Sequence, residues 1–222
     1  MAAPFEVGLD QVRLTELPFV PEVRLYLAAD AIILWARLEA EAGRALPPPY
    51  WASAWVGGQA LARYVLDHPQ TVCGLRVLDL AAGCGQAGIA AALAGAASVE
   101  ANDTDPYAHR AIALNARTNG VVVAVSETDL LDGAGADADV VLAGDVFYSK
   151  DMAERMRQFM QRVASRGATV LVGDPGRAFL PHDWLQRLTT YQVPTAGGIE
   201  NTEIKQTHVL RPRTKRMGSP DA

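Results

Sequence analysis

Three glycines and a carboxylate occur at a spacing that suits a nucleoside ligand. Gly83, Gly85 and Gly88 form the pattern G-x-G-x-x-G directly after an apolar run, and Asp103 follows 20 residues beyond the first glycine. Glycine permits a tight turn and lets a ligand approach the bare backbone. Dinucleotide-binding folds carry the same pattern. The glycines alone therefore leave NAD and other nucleoside cofactors open.

The sign of the charge near this loop separates the two cofactors. Asp79 stands near the end of the apolar run, where we expect its carboxylate to face the loop. A carboxylate there repels a pyrophosphate and attracts the sulfonium and ammonium groups of S-adenosylmethionine. We expect Asp103 to accept hydrogen bonds from ribose hydroxyls and Asp129 to accept one from the adenine amino group. The alternative is that Asp79 and Asp103 are turn and helix-capping carboxylates only.

The stretch Val77–Gly85 resembles the first motif of class I S-adenosylmethionine-dependent methyltransferases. That motif reads acidic-x-Gly-x-Gly-x-Gly, and Ala81 replaces its first glycine. The backbone at this position must then tolerate a methyl group. The cofactor contacts implied by this and the further family resemblance below are Ala81, Gly83, Gly85, Asn102 and Gly144.

A second group of reactive side chains occurs in the sequence Gly144-Asp145-Val146-Phe147-Tyr148. Ligands of open α/β sheets bind beyond the carboxyl ends of the strands, so Asp145 and Tyr148 are expected at a reaction centre. The acidic-x-x-aromatic pattern resembles the seven-stranded protein lysine methyltransferases. The resemblance implies that Asp145 orients the lysine amine and that Tyr148 lines its channel. The alternative is that Asp145 caps a helix that begins near Lys150.

Three further motifs occur in order along the chain: Pro49–Ala52 with Trp55–Leu61, Asn102–Pro106, and Gly173–Arg177. Together they resemble the electron transfer flavoprotein β-subunit lysine methyltransferases. The resemblance extends from about Pro21 to Pro212 and implies a lysine of that β-subunit as the substrate. Ribosomal-protein lysine methyltransferases share the element Asp103-x-Asp105-Pro106, although their larger N-terminal substrate domain is not seen in this sequence.

Two tryptophans and the Gly173–Arg177 motif supply the remaining candidates. Trp55 is expected to pack against the cofactor and Trp51 to cover it, with simple core packing as the alternative for each. Asp174 and Arg177 are expected to contact the substrate protein, although Asp-Pro-Gly is also a common turn sequence.

Alternating elements position these residues. Strands are predicted at Arg76–Leu80, Ser98–Ala101, Val121–Ser126, Val140–Ala143 and Thr169–Val172, with helices between them. This alternation predicts an α/β, Rossmann-like, doubly wound sheet of seven mostly parallel strands. We expect Thr202–Leu210, preceded by Tyr191–Thr195, to form an antiparallel edge strand.

Three regions follow from composition. Residues 1–48 are predicted to form a mainly helical N-terminal extension, with a helix over Arg24–Ala42 that ends at Gly43 and the following prolines. Residues 49–212 form the predicted methyltransferase domain. Residues 213–222 are predicted to be a disordered basic tail.

Charge and cysteine content narrow the functional class. The net charge of −5 gives no incentive to bind nucleic acid and mildly favours a lysine-bearing substrate. Cys73 and Cys84 are expected to be reduced interior thiols, no metal site is expected, and neither a signal peptide nor a membrane span is predicted. We predict a cytoplasmic lysine methyltransferase, with the activity implied by the family resemblance and with an organelle matrix left open as its location. The alternatives are a ribosomal-protein or small-amine methyltransferase, an NAD-binding oxidoreductase, and a binding module without activity.

Overall fold

The computed structural model describes residues 11–133, 137–195 and 204–213. The strands in this part of the chain are β1 Val12–Leu17, β2 Val20–Ala28, β3 Arg76–Leu80, β4 Ser98–Asn102, β5 Ala124–Ser126, β6 Val140–Gly144, β7 Thr169–Asp174, β8 Leu185–Pro194 and β9 Ile204–Pro212. The helices are α1 Ala31–Ala42, α2 Val56–Asp67, α3 Gln86–Leu93, α4 Pro106–Thr118 and α5 Lys150–Ser165. Tyr50–Ala52 and Pro69–Thr71 form short 3-10 turns.

Seven strands form one sheet in the order β5-β4-β3-β6-β7-β9-β8. The pairs among β5, β4, β3, β6 and β7 are parallel, and β9 is antiparallel to both of its neighbours. The doubly wound, mostly parallel sheet predicted from the sequence is thereby confirmed. The predicted antiparallel edge is also confirmed, but the edge strand is β8, because β9 enters between β7 and β8.

Both faces of the sheet are covered. Val77, Val140 and Leu142 belong to one buried cluster with side chains of α2 and α3. Leu78 and Val141 belong to another, with side chains of α5. Continuous apolar runs such as Val140–Ala143 are buried on both sides, as expected for central parallel strands.

The N-terminal region contains a β-hairpin that the sequence analysis missed. Residues 24–28, assigned above to a helix, belong to β2, and the helix begins only at Ala31 after Asp30 caps it. Val23, Leu25 and Leu27 are buried and alternate with exposed or half-buried residues, which is the period of a strand. The prediction of a mainly helical extension is therefore wrong for β1 and β2; residues 1–10 lie outside the described part.

The hairpin belongs to the same core as the sheet. The amide of Tyr26 donates to Asn115 Oδ1 at 2.7 Å, and the amide of Arg24 donates to Asn119 Oδ1 at 2.9 Å. Asn115 also donates through its side chain to the carbonyl of Cys84 at 2.9 Å. This buried asparagine of α4 thus joins β2 to the glycine-rich loop before α3.

Helix α2 approaches the sheet through glycines. A Cβ added at Gly57 would lie 2.2 Å from the carbonyl oxygen of Gly173, and one at Gly144 would lie 2.7 Å from the amide nitrogen of Gly58. Real Cβ atoms do not come this close. Glycine is therefore required on both sides for the start of α2 to rest on the ends of β6 and β7.

Two smaller expectations are partly corrected. Cys84 is buried but Cys73 is exposed, so only one of the thiols lies in the interior. Arg213 is still attached to the fold, since its amide donates to the carbonyl of Trp184 at 2.8 Å. The rest of the predicted basic tail, residues 214–222, lies outside the described residues.

Candidate active site

The carboxyl ends of β3, β4 and β6 border a cavity of about 760 Å³, called here the main cavity. This is the edge at which open α/β sheets bind their ligands. Three of the predicted site residues, Asp79, Gly85 and Asp174, are not among its lining residues. The predicted residues that line it are Trp51, Trp55, Ala81, Gly83, Asn102, Asp103, Asp129, Gly144, Asp145, Tyr148 and Arg177.

The loop between β3 and α3 presents its backbone to the main cavity. Ala81 and Gly83 have φ values of 54° and 55°, in the left-handed region. A Cβ at Gly83 would meet no atom closer than the Cα of Trp51, at 3.8 Å. Glycine is favoured at position 83 by this backbone angle, and not by lack of space. Ala81 adopts a similar angle at a cost of about 1 kcal/mol.

Asp103 follows β4 and holds this loop. Its Oδ2 accepts from the amide of Gly83 at 2.9 Å, and its Oδ1 accepts from the amide of Asp105 at 3.0 Å. An ionised carboxylate offers about four lone-pair positions. Two backbone donors therefore leave Asp103 able to accept hydrogen bonds from a ligand in the main cavity.

Asp79 does not occupy the position predicted for it. It is 2% exposed, its Oδ2 accepts from the amide of Gly88 at 2.7 Å, and it lies beneath the loop against α3. Leu80, the next residue, lines the main cavity instead, because successive side chains of a strand point to opposite faces. The charge argument based on Asp79 is thus wrong in its geometry: Asp79 stabilises the start of α3.

Burial changes the protonation of Asp79. The loss of water raises its pKa to about 7, and the nearby charge of Asp103 adds to this, while the hydrogen bond from Gly88 opposes it.

Gly85, also placed at the cofactor by the sequence analysis, lies at the end of the loop with φ of 81°. A Cβ there would meet the Ile112 side chain at 3.2 Å, so Gly85 serves the packing of the loop on α4.

Asn102 and Asp129 line the β4 and β5 side of the main cavity. The Asn102 side chain donates to the carbonyls of Ser126 and Thr128, at 3.1 and 2.8 Å. Asp129 accepts from Arg155 at 2.8 Å, and this contact lowers the pKa of the Asp129 carboxyl below its usual value. Asp129 therefore stays ionised beside the cavity.

Aromatic rings form the opposite wall. The ring centroid of Tyr50 lies 5.9 Å from that of Trp55 and 5.8 Å from that of Tyr148. Trp55 donates through Nε1 to the carbonyl of Tyr50 at 2.8 Å, and the guanidinium of Arg177 lies 5.3 Å from the Trp55 ring. Tyr50 and Tyr148 are 44% and 48% exposed, so the aromatic wall reaches the mouth of the cavity.

Trp51 lies deeper than Trp55. It is 2% exposed and stacks on Tyr107 of α4 with a centroid distance of 6.0 Å. Its buried Nε1 has no hydrogen-bond partner within the described protein. Trp51 is therefore a core side chain that also forms part of the cavity wall. Core packing and a contact with the cofactor, the two roles considered from the sequence, do not exclude one another.

Asp145 is bound on both carboxylate oxygens. Oδ2 accepts from the amides of Gly57 and Gly58 at 2.6 and 3.3 Å, and Oδ1 accepts from Arg177 Nη2 and Nε at 2.6 and 3.1 Å. Its φ of 60° is rare for a residue other than glycine. The alternative role as a helix cap does not hold, because Ser149 caps α5. Asp145 instead joins the start of α2 to Arg177 at the cavity.

Asp174 lies below this arrangement and not at the surface. It is completely buried, and its Oδ1 accepts from the amides of Gly176 and Arg177, each at 2.7 Å. Burial raises the pKa of this carboxyl. The expected contact of Asp174 with a substrate protein is therefore wrong: it shapes the turn that presents Arg177.

Sequence reasoning missed several lining residues. The segment after α1 contributes Arg44 and the prolines, and α5 contributes a cluster of Met152, Arg155 and Met156. The helical spacing of the α5 residues marks one face of a helix but does not reveal which face meets a ligand. The lining residues that were not site candidates are Leu38, Arg44, Leu46, Pro47, Pro48, Pro49, Tyr50, Leu80, Thr104, Asp105, Pro106, Tyr107, Leu131, Val146, Met152, Arg155 and Met156.

Solved structures share this architecture. Magnesium protoporphyrin IX methyltransferase from Synechocystis PCC 6803, with bound SAM, aligns with a TM-score of 0.52 at 16% identity, covering 71% of this chain and 81% of that one. Trm5b from Pyrococcus abyssi aligns with a TM-score of 0.53 at 15% identity, covering 91% and 56%. At these identities the alignments show a common fold, which is that of Rossmann-like methyltransferases.

Sequence comparison gives the family. A family model described as lysine methyltransferase matches residues 31–190. The electron transfer flavoprotein beta subunit lysine methyltransferase of Danio rerio is 40% identical over 86% of this chain and 76% of the relative, and that of Xenopus laevis is 41% identical over 90% and 83%. The chain therefore belongs to the lysine methyltransferase family and is an S-adenosylmethionine-dependent enzyme.

The described residues contain neither a metal cluster nor a membrane helix. Within residues 11–133, 137–195 and 204–213, no group of three His, Cys, Asp or Glu side chains is placed to hold a metal ion. No helix in the same ranges is long and apolar enough to cross a membrane.

The main cavity fits S-adenosylmethionine. Its volume of about 760 Å³ suits a nucleoside of this size. Asp103 retains acceptor capacity beside the exposed backbone of Gly83, as ribose hydroxyls require. The carboxylates of Asp105 and Asp129 also line the cavity, but so does Arg155, which is bonded to Asp129. The charge argument for a cationic cofactor therefore stays a prediction.

Proposed function

We propose that this enzyme methylates lysine side chains of the electron transfer flavoprotein β-subunit. The single observation that carries the proposal is its 40% identity to the β-subunit lysine methyltransferase of Danio rerio over 76% of that relative. A ribosomal-protein substrate has weaker support. The ribosomal protein L11 methyltransferase of Geobacillus thermodenitrificans is 45% identical over only 38% of this chain and 26% of the relative.

Bound S-adenosylmethionine supplies an electrophilic methyl group next to a positively charged sulfur. We propose that Asp103 and Gly83 hold the ribose, and that Asn102 and Asp129 with the apolar side chains of α5 flank the base. The backbone around Ala81 and Gly144 borders the remaining part of the ligand, and Trp55 packs against it. This assignment uses the lining residues on the β3, β4 and β6 side of the main cavity.

The lysine amine enters between the aromatic side chains. An in-line displacement requires a neutral amine about 3 Å from the methyl carbon and opposite the sulfur. The rings of Tyr50, Trp55 and Tyr148 lie around the mouth, where their faces attract positive charge that develops on nitrogen. Burial, Tyr50 and Asp103 raise the pKa of Tyr148. Its phenol is therefore neutral at pH 7 and does not act as a base, and the amine loses its proton to solvent before transfer.

Asp145 acts as a positioning residue in this proposal. Four donors, two from Gly57 and Gly58 and two from Arg177, match the approximately four lone-pair positions of a carboxylate. A fifth donor from the substrate amine has no position left. Asp145 instead fixes the start of α2, next to Trp55, and the guanidinium of Arg177 above the Trp55 ring. Tyr148 is the residue of the acidic-x-x-aromatic pattern that contacts the substrate.

Mass spectrometry tests the substrate directly. Purified enzyme is incubated with S-adenosylmethionine and recombinant β-subunit, and peptides are analysed for added methyl groups. We expect mass gains on lysine peptides that are absent without enzyme and absent with the Asp103→Ala variant. A ribosomal stalk protein is incubated in parallel. Transfer to that protein alone, or to neither protein, contradicts the proposal.

The compartment is part of the same proposal. Cys73 and Cys84 are free and separate, and Cys73 is exposed. Exposed thiols persist in reducing compartments, which agrees with the predicted cytoplasmic location.

A further inference from the structure

A second cavity, of about 550 Å³, lies along β8 and β9 and is called here the β8–β9 cavity. It does not contribute to the reaction described above. Its lining combines three leucines with four basic side chains and contains no carboxylate. The lining residues are Gly176, Leu180, His182, Leu185, Gln186, Arg187, His208, Leu210 and Arg213.

The leucines form a fixed floor. Leu180, Leu185 and Leu210 are 5%, 3% and 6% exposed and belong to the core cluster that packs on α5. Because these leucines are held by the protein core, the floor keeps its shape without a bound partner. It offers an apolar surface for the methylene groups of a side chain that enters from solvent.

Basic groups surround this floor. Arg187 lies opposite Leu210 in the β8–β9 pair. The Nδ1 atom of His208 shares a hydrogen bond of 2.9 Å with Thr190 Oγ1. Arg213 donates to the carbonyl of His182 at 3.3 Å. Burial lowers the pKa of His208, and the positive charges of Arg187 and His182 lower it further. His208 is therefore uncharged at pH 7, and the positive charge at the cavity comes from Arg187 and Arg213.

Within the described residues, two carboxylates adjoin residues of the cavity lining, and both are already bonded elsewhere. Asp174, opposite His208 in the β7–β9 pair, is completely buried and its Oδ1 is bonded to two backbone amides. Asp183 is bonded to Arg157 at 3.2 Å and points to solvent with 69% of its side chain exposed. The β8–β9 cavity is a local concentration of positive charge on a chain whose net charge is −5.

The two cavities lie on either side of one turn. Gly176 lines the β8–β9 cavity and Arg177, the next residue, lines the main cavity. Both are held by the buried Asp174. A protein whose lysine enters the main cavity therefore has other side chains within reach of the β8–β9 cavity.

We propose that the β8–β9 cavity binds an aspartate or glutamate side chain of the protein substrate and so helps to select that protein. This inference rests on the proposed function. The leucine floor accommodates the methylenes, and Arg187 and Arg213 bind the carboxylate. Because the rest of the enzyme is acidic on balance, an acidic segment is attracted to this region in preference to others.

The test removes the two guanidiniums without disturbing the leucine floor. In the double variant Arg187→Gln, Arg213→Gln, the KM and the Kd for the flavoprotein β-subunit are expected to rise about 3- to 10-fold, the range for loss of two partly exposed charge pairs. The kcat and the Kd for S-adenosylhomocysteine are expected not to change. Arg211→Gln is the matched control, since Arg211 lies on β9 but does not line the cavity.

Titration calorimetry of the β-subunit, with enzyme saturated in S-adenosylhomocysteine, measures binding independently of transfer. An unchanged KM and Kd in the double variant overturn the proposal. A double variant that loses affinity for inorganic phosphate but not for the β-subunit also overturns it, because the cavity then binds small anions. If the wild type binds the β-subunit without methylating it, the proposed function fails while the variant Kd still tests docking. If the wild type does not bind it, both fail.

Discussion

At the β4 side of the main cavity, Asp103 receives two backbone amides and faces the ligand space. At the β6 side, Asp145 also lines the space but receives two amides and a guanidinium through four contacts. Both carboxylates follow parallel strands of the same sheet. The difference teaches that the number of protein donors decides the role: the first carboxylate can still accept from a ligand, whereas the second holds α2 and Arg177 together.

The largest expected effect is on stability and comes from preventing the close approach of Gly57, at the start of α2, to Gly173 and Asp145. In Gly57→Ala the new Cβ would lie 2.2 Å from the carbonyl oxygen of Gly173 and 2.5 Å from Asp145 Oδ2. Overpacking against backbone is expected to lower the free energy of unfolding by about 3 kcal/mol or more. Urea unfolding measures it, with Gly133→Ala as the control because a Cβ there meets only Leu130 O, at 3.5 Å. A Gly57→Ala protein as stable as that control contradicts the close approach of α2.

The second prediction separates positioning by Asp145 from direct contact with the amine. Asp145→Ala and Arg177→Ala are each expected to lower kcat about 30- to 100-fold, and the double variant to be little worse, because both break one unit. The Kd for S-adenosylmethionine should change less than about threefold.

A direct amine contact predicts a different pattern. Loss of Arg177 would then leave the Asp145 carboxylate free for the substrate, so Arg177→Ala would keep most of kcat. Single-turnover transfer measurements distinguish the two. Arg157→Ala serves as the control, since it removes an exposed pair with Asp183 and is expected to leave kcat unchanged.

The third prediction concerns the β4 side. Asp103→Asn removes the negative charge and one acceptor oxygen, and it weakens the contact that holds Gly83. The Kd for S-adenosylmethionine is expected to rise about 10- to 50-fold, the range for a charge-assisted hydrogen bond, while kcat at saturation changes little. Titration calorimetry measures the Kd. Asp67→Asn is the control, because Asp67 pairs with Arg63 and neither residue lines the main cavity; equal affinities in both variants would contradict the assignment.

Local patterns predicted the parallel sheet well because its central strands β6 and β7 are nearly continuous apolar runs. The strand Arg76–Leu80 was placed with its observed bounds. The partners of Asp145 could not be predicted in this way, since Gly57 is 88 residues distant in the chain. The position of β9 between β7 and β8 likewise depends on long-range pairing.

The orientation of Asp79 was in principle accessible. Residues of one strand alternate between faces, so Asp79 shares the face of Val77, which packs with α2 and α3, and not the face of Leu80, which packs with α5. The motif resemblance suggested a cofactor contact, while strand alternation decides that Asp79 lies against α3. The β2 strand was missed for a related reason: residues 24–28 were assigned to a helix that begins only at Ala31, and the alternation of Val23, Leu25 and Leu27 was overlooked.

The smallest expected effect concerns Asp79. Beside Asp103 and Asp145 it is a third case, a buried carboxylate with one backbone donor, the amide of Gly88. Its pKa of about 7 lies above the ordinary 3.8, so the folded state binds more protons than the unfolded state between these values. The free energy of unfolding therefore falls as pH rises from about 4 to 7. Asp79→Asn keeps an acceptor for the Gly88 amide but cannot ionise. The free energy of unfolding is measured with urea at pH 5 and pH 7.5. Relative to the wild type, that of the variant should be higher at pH 7.5 than at pH 5 by on the order of 1 to 2 kcal/mol. Parallel pH dependences of the two proteins would mean that Asp79 is already ionised at pH 5 in the folded enzyme, which contradicts the raised pKa.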